Sequence, residues 1–280
     1  MSSDSLTPAD LAARLLAAGG ARAGLGVGDM LLRGALSGAL LGISTSLAVT
    51  AATETATPLA GALIFPVGFV MIVLLGFELV TGNFAVLPLA VLGRRLSPGA
   101  MLGNFVAVFV GNLLGSLLYA ALFAVVMTDA GTAGALPPVA ARIVHIAQVK
   151  TTGYAAMGTA GLATCFVKAV LCNWMVCMGV VMSLASTSQI GRIVGAWMPI
   201  TIFFAQGFEH SVVNMFVIPA GMMLGARITL AEWWLWNEIP VTLGNLAGGV
   251  LLVALPFFFT YVRGAPARPV LAEPAAAGAD

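Results

Sequence analysis

Gly207-Phe208-Glu209-His210-Ser211-Val212-Val213-Asn214 lies inside an apolar segment spanning residues 193–224. A glutamate beside a histidine in such surroundings needs a physical reason. A charged side chain at the centre of a membrane helix costs about 2.5–3.5 kcal/mol even on the lenient insertion scale. The stretch also has a twin. Gly76-Phe77-Glu78-Leu79-Val80-Thr81-Gly82-Asn83 sits in an earlier apolar segment and shares the pattern G-F-E-x-x-x-x-N. A second pair follows, Leu102-Gly103-Asn104 after the first twin and Leu243-Gly244-Asn245 after the second. The pattern predicts two related halves, each with a polar break in a hydrophobic span. Many transport proteins bring a substrate path to the bilayer midplane in this way.

Composition points the same way. The 280 residues are 60% hydrophobic and 8% charged, where a soluble domain carries about 25% charge. The apolar segments have helical length and do not alternate as barrel strands do. A net charge of +1 gives no reason to expect a nucleic-acid partner. Cys165, Cys172 and Cys177 fall in one apolar segment without metal or disulfide spacing, and read as small core residues. Ser211 follows His210, but adjacency makes no acid–His–Ser geometry. No nucleotide motif is present, so no direct ATP coupling is expected, and without clustered metal ligands or a nucleophile beside a base the reading is a non-enzyme without cofactor or metal. The N-terminal tail lacks the charged, apolar and cleavable order of a signal peptide.

In order along the chain, residues 1–29 read as an amphipathic segment lying against the cytoplasmic membrane face. Thr7 serves as N-cap, Pro8 takes the first helical position, and Leu6, Leu11, Leu15 and Leu16 share one side. Six spans occupy residues 30–263. Spans 2 and 5 are broken at the twins, with Thr81-Gly82-Asn83 in the irregular part. Gly103, Gly111 and Gly115 in span 3 are spaced for close helix packing. Residues 128–154 read as a long connection. Trp233, Trp234 and Trp236 read as an interfacial belt, with span 6 starting at Pro240. Residues 264–280 are Ala/Pro-rich and read as a disordered cytoplasmic tail. Arginine and lysine are denser on the side that holds both termini, which predicts a cytoplasmic location for them in a cell inner (plasma) membrane.

Glu78 and Glu209 stand just before the breaks, where a carboxylate can accept hydrogen bonds from freed backbone N–H groups and tie the loop down. Asn83 and Asn214 read as caps or loop anchors. His210 is the one histidine expected inside a span, and its ordinary pKa of about 6.5 suits it to proton handling. Thr81 and Asn173 offer hydrogen bonds to an anion or to His210. Phe65, Phe69, Leu79 and Phe203 fit either ordinary lipid and core residues or a dry constriction, and spacing alone does not choose.

These stretches, with 171-LCNWMVC-177 and 239-IPVTLGN-245, resemble the formate/nitrite transporter family across nearly the whole chain. The resemblance implies an aquaporin-like protomer. Its six transmembrane helices form two inverted three-helix repeats with helices 2 and 5 broken, and five protomers assemble as a homopentamer. It implies passage of small monovalent anions of weak acids together with a proton. By position it places Thr81 and His210 at the two breaks, Asn173 facing the path, and Phe65, Phe69 and Phe203 with Leu79, Val80 and Val176 at two constrictions. It calls for a vestibule lysine shortly before the Asn173 segment. Lys150 is the candidate, although it lies several residues further upstream than the family pattern has it. A neutral-solute channel for water, ammonia or glycerol is the competing reading.

Overall fold

The structure, a computed structural model, describes residues 4–264, so the expected tail beyond Gly264 lies outside the described residues. The chain runs α1 (Pro8–Ala23), α2 (Val27–Glu54), α3 (Pro58–Ile64), α4 (Pro66–Leu75), α5 (Val80–Leu92), α6 (Pro98–Met127), α7 (Pro138–Lys150), α8 (Thr152–Ala156), α9 (Thr159–Ala185), α10 (Gln189–Ala205), α11 (Ser211–Met223), α12 (Leu230–Trp233), α13 (Ile239–Gly249) and α14 (Leu255–Phe257). Three π turns, Trp234–Glu238, Val250–Ala254 and Phe258–Val262, are interleaved with the last three helices. Among the described residues five helical runs are long and apolar enough to cross a membrane: Val27–Glu54, Pro58–Leu75, Pro98–Met127, Thr159–Ala185 and Leu230–Val262. Shorter apolar helices are α5, α10 and α11.

The two breaks share one device. α4 stops because Gly76 turns left-handed at φ 68°, and α10 gives way in the same manner at Gly207, φ 63°. Only glycine adopts that conformation without strain. A short extended stretch follows, and Leu79 and His210 then begin α5 and α11. Thr81-Gly82-Asn83 therefore belongs to the first turn of α5 and not to the irregular stretch. Poor intrinsic propensity is overridden there by a tertiary cap: the Val80 N–H donates to Asn112 Oδ1 of α6 at 3.0 Å.

α2 and α6 pack backbone to backbone. A Cβ on Gly115 would run into the Ala35 carbonyl oxygen, and one on Gly38 into that of Asn112. Gly111 shares this contact, whereas Gly103 faces open space. The connection expected over residues 128–154 is largely helical. Ala140, Ile143 and Ala147 of α7 form a buried stripe, and α7 packs against α11 and α2. The short apolar stripe is hard to see from sequence because exposed Arg142 and His145 interrupt it.

α1 begins as its sequence suggests, with Thr7 Oγ1 accepting from the Asp10 N–H at 3.3 Å. Its apolar side, with Leu11 and Leu15 buried, packs on protein, chiefly on α5. The tryptophan belt is also partly internal. Trp233 is buried, with its indole N–H turned inward, while Trp234 and Trp236 are half-buried. The last helical run starts at Leu230, not at Pro240. It accommodates Pro240, which has no N–H, by widening just before it: the Ile239 N–H reaches back five residues to the Trp234 carbonyl.

Candidate functional site

The two breaks meet. His210 Nε2 lies 3.0 Å from Thr81 Oγ1, joining residues 129 positions apart. The ring's other nitrogen caps α11: Nδ1 accepts the Val213 N–H at 3.2 Å. Since Nδ1 is an acceptor, the ring proton sits on Nε2 and is donated to Thr81. The imidazole is neutral in this arrangement, and the threonine hydroxyl keeps its own proton to donate. Phe203 stacks on the imidazole, with centroids 5.7 Å apart and planes 17° apart. Phe65 stands edge-on to Phe203 and stacked on Phe204. Phe69, Leu79, Val80 and Val176 are likewise buried.

Asn173 sits on α9 beside this pair. Its Nδ2 donates to two carbonyls, Thr81 at 3.1 Å and Asn245 at 2.6 Å. Two carbonyl partners fix the amide orientation. Its buried Oδ1 is left without a protein partner. Asn173 therefore does not bond His210, and the group it leaves open is an acceptor.

Each glutamate heads a cluster, and the two clusters correspond. Glu78 Oε2 accepts from Asn83 Nδ2 at 2.8 Å, which also donates to Asn104 Oδ1 at 2.8 Å. Asn104 Nδ2 then donates to the Arg22 carbonyl at 3.1 Å. In the second half Glu209 Oε2 accepts from Asn214 Nδ2 at 2.8 Å, which also donates to Asn237 Oδ1 at 2.8 Å. Asn237 Nδ2 donates to the Lys150 carbonyl at 3.0 Å. The cations differ in detail. Arg22 donates to Asn83 Oδ1 at 2.5 Å and lies 4.0 Å from Glu78. Lys150 Nζ lies 2.7 Å from Glu209 Oε2, and Asn214 Oδ1 is left unpaired. Glu209 has two further donors, the Tyr154 hydroxyl 2.8 Å from Oε1 and Asn237 Nδ2 3.4 Å from Oε2. Burial, and then the Glu209 charge and hydrogen bond, raise the Tyr154 phenol above its ordinary value.

The freed backbone of each break is held by an asparagine, not by the glutamates. Asn112 Nδ2 donates to the Glu78 carbonyl at 2.9 Å and to that of Gly34 at 2.8 Å, while its Oδ1 takes the Val80 N–H. Asn245 Nδ2 donates to the carbonyls of Glu209 at 3.0 Å and Ala169 at 2.8 Å, while its Oδ1 takes the Ser211 N–H. The counterpart of Asn245 is thus Asn112. Asn104, which shares its Leu-Gly-Asn flanks, corresponds to Asn237.

The structure therefore brings together Thr81, His210, Asn173 and Phe203, and separately Lys150 with Glu209 and Asn214. Lys168 stays out of this pairing, and only its carbonyl reaches Glu209, through the N–H at 3.4 Å. Arg22, Asn112, Tyr154, Asn237 and Glu238 are polar residues of the buried clusters that the sequence reading passed over.

A match to the formate/nitrite transporter family covers residues 9–259. A Methanothermobacter thermautotrophicus protein described as a probable formate transporter is 41% identical over 207 residues, 71% of this chain and 74% of its own. Among solved structures, one described as an FNT family ion channel superposes with TM-score 0.78 at 27% identity, covering 89% of this chain and 98% of that one. A pentameric formate channel with formate bound superposes with TM-score 0.68 at 24% identity, covering 85% and 98%.

Proposed function

Since the chain belongs to the formate/nitrite transporter family, a family of channels and transporters and not of enzymes, we propose that it passes formate, nitrite or a similar weak-acid anion together with a proton. Each protomer of a homopentamer provides one path. In this reading α3–α5 and α10–α11 each make one broken crossing. Six spans then form two inverted three-helix repeats in the aquaporin manner, with both termini on the cytoplasmic side of the plasma membrane.

The observation that carries the reading is the Thr81–His210 pair, which bridges both breaks behind the Phe203 ring. A small carboxylic acid has a pKa near 4, so about one molecule in a thousand is neutral at pH 7. A dry path between Phe65, Phe69 and Phe203 on one side and Leu79, Val80 and Val176 on the other favours that neutral form. The open polar groups suit it as well. The Thr81 hydroxyl can donate to the solute's carbonyl, and Asn173 Oδ1 can accept only from a protonated solute or water.

Lys150 would draw the anion in. Glu209 keeps donors from Asn214, Asn237 and Tyr154 when the ammonium turns toward a guest. His210 cannot give up its Nε2 proton while neutral, because imidazolate would result. It first takes a proton at Nδ1, releasing the Val213 N–H, which a nearby anion favours. That proton comes from water entering with the anion. The ring then passes the Nε2 proton to the carboxylate oxygen and is left neutral as the Nδ1–H tautomer, and exchange of that proton through water back to Nε2 restores the Val213 cap.

Uptake of labelled formate, nitrite, lactate and hydrosulfide into proteoliposomes, with internal pH recorded, tests this. Formate entry with matching internal acidification is expected. Swelling in glycerol without formate flux would establish the neutral-solute channel in its place.

A further inference from the structure

Glu238 is fully buried, in the π turn Trp234–Glu238. Its carboxyl receives two long hydrogen bonds from neutral groups, Trp233 Nε1 at 3.2 Å on Oε2 and Thr242 Oγ1 at 3.3 Å on Oε1. No described cation lies within 4 Å, and Lys150 is engaged by Glu209. A buried carboxylate with only neutral partners is strongly disfavoured relative to its protonated form.

The first half shows that this position needs no polar group. Asn237 and Asn104 are counterparts, so Glu238 answers to Phe105. That ring is buried and packs edge-on against Phe84, with centroids 5.0 Å apart. The chain thus places an ionisable group where its other half places a hydrocarbon ring. It does so one residue from Asn237, whose amide bonds the Lys150 carbonyl and lies 3.4 Å from Glu209 Oε2.

The elements packed against this turn are α8, α9, α11, α12 and α13. Their titratable groups, with those at their ends, are Lys150 and Tyr154, Cys165, Lys168, Cys172 and Cys177, Glu209 and His210, and Glu232.

We propose that Glu238 is a proton-binding site governing anion capture on the α7 side of the path: protonated, it permits capture at Lys150, and ionised, it opposes capture. The proposal rests on the reading of Lys150 as the capturing cation. With Glu238 neutral, the Lys150–Glu209 pair presents one carboxylate to one ammonium. With Glu238 ionised, a second negative charge is added near that pair without a cation of its own, and an arriving anion meets excess negative charge. The proton leaves to water in the vestibule.

The test is the half-saturation concentration for formate uptake from about pH 6 to about pH 9, a range that brackets the titration of buried glutamates. In the parent it should rise several-fold with pH, because a unit charge appearing inside the protein acts on an arriving anion through an effective dielectric of only about 20. In Glu238→Gln and in Glu238→Phe, which copies the first half, it should change less than about twofold, since no charge appears there. A Gln variant with the parent's slope overturns the proposal. Infrared difference spectra of the unaltered protein give a readout that needs no variant: a protonated-carboxyl band should disappear over the same pH range, and its absence throughout also overturns the proposal. Lys150→Ala separates the two ideas. If it leaves half-saturation unchanged, the Lys150 reading fails. If it weakens capture while Glu238→Gln keeps the parent's slope, only the Glu238 proposal fails.

Discussion

Lys150 Nζ lies 2.7 Å from Glu209 Oε2, and the carboxylate has hydrogen bonds besides that one. Asn214, Asn237 and Tyr154 supply three other donors. An ammonium whose departure leaves its buried partner still hydrogen-bonded is better suited to meeting an incoming anion than one that is the sole partner. Breaking a buried pair is otherwise strongly destabilising.

Lys150→Ala should therefore lower formate uptake at low substrate by about tenfold, the lower end of what electrostatic focusing supplies, and spare uptake at saturation. Pentamer assembly, checked by size-exclusion chromatography with light scattering, should be retained. Lys168→Ala should leave low-substrate uptake unchanged. The reverse pattern, with normal Lys150→Ala and dead but assembled Lys168→Ala, would show that the wrong lysine was chosen.

His210→Asn separates cap from proton carrier. Asparagine is itself a strong N-cap, so the Val213 N–H keeps an acceptor and the fold should survive. The titratable ring is gone, and proton-coupled formate movement should fall by about 100-fold or more, as when a general acid is removed, or turn into an uncoupled anion current. His210→Phe should abolish both. If His210→Asn keeps the parent's rate, proton stoichiometry and pH dependence, the ring is only a cap.

Asn245→Ala and Asn112→Ala should each cost about 3–9 kcal/mol of stability, because three buried backbone groups lose their partner in each case at about 1–3 kcal/mol apiece. The pentamer's melting temperature in detergent is the measurement. A drop in one variant and not in the other would mean that the two breaks are not held in equivalent ways.

Cysteines introduced at exposed Ala56 and Thr132, in a background lacking the three native ones, should react with an impermeant thiol reagent from outside the cell. Cysteines at Gly99 and Thr187, also exposed, should react only after the membrane is opened. External labelling at Gly99 would invert the proposed orientation.

The breaks were legible because glycine, glutamate and asparagine stand out against an apolar background, and the backbone at Gly76 and Gly207 requires that kind of residue. Side-chain pairing across the repeat was not legible. Asn104 and Asn245 share Leu-Gly-Asn flanks, but what an asparagine holds depends on its height along the helix. Asn104 and Asn112 are eight residues, or about 12 Å, apart on α6, and it is Asn112 that reaches the Val80 N–H.

Arg22 and Tyr154 were missed for a related reason. Both lie in segments that look peripheral in sequence, one in an amphipathic terminal helix and the other in the stretch between Lys150 and α9. That stretch folds into α8 and carries the Tyr154 hydroxyl to Glu209, while Lys150 reaches the same carboxylate despite its upstream position. Glu238 was hidden by its tryptophan neighbours, which drew the reading toward a membrane interface.

The first described residues are tied far down the chain. Ser5 bridges Ser186, the Leu6 N–H donates to the Ala185 carbonyl, and Arg14 donates to the carbonyls of Leu184 and Ser186. During synthesis those acceptors emerge 170 residues after Arg14, which at ribosomal speed is roughly 10 to 30 s. Helix α1 can settle on α5 early, but its first residues cannot make these bonds until most of the protein has been made. A chain that stalls before the codon for Leu184 therefore leaves the first turns of its first helix without these partners.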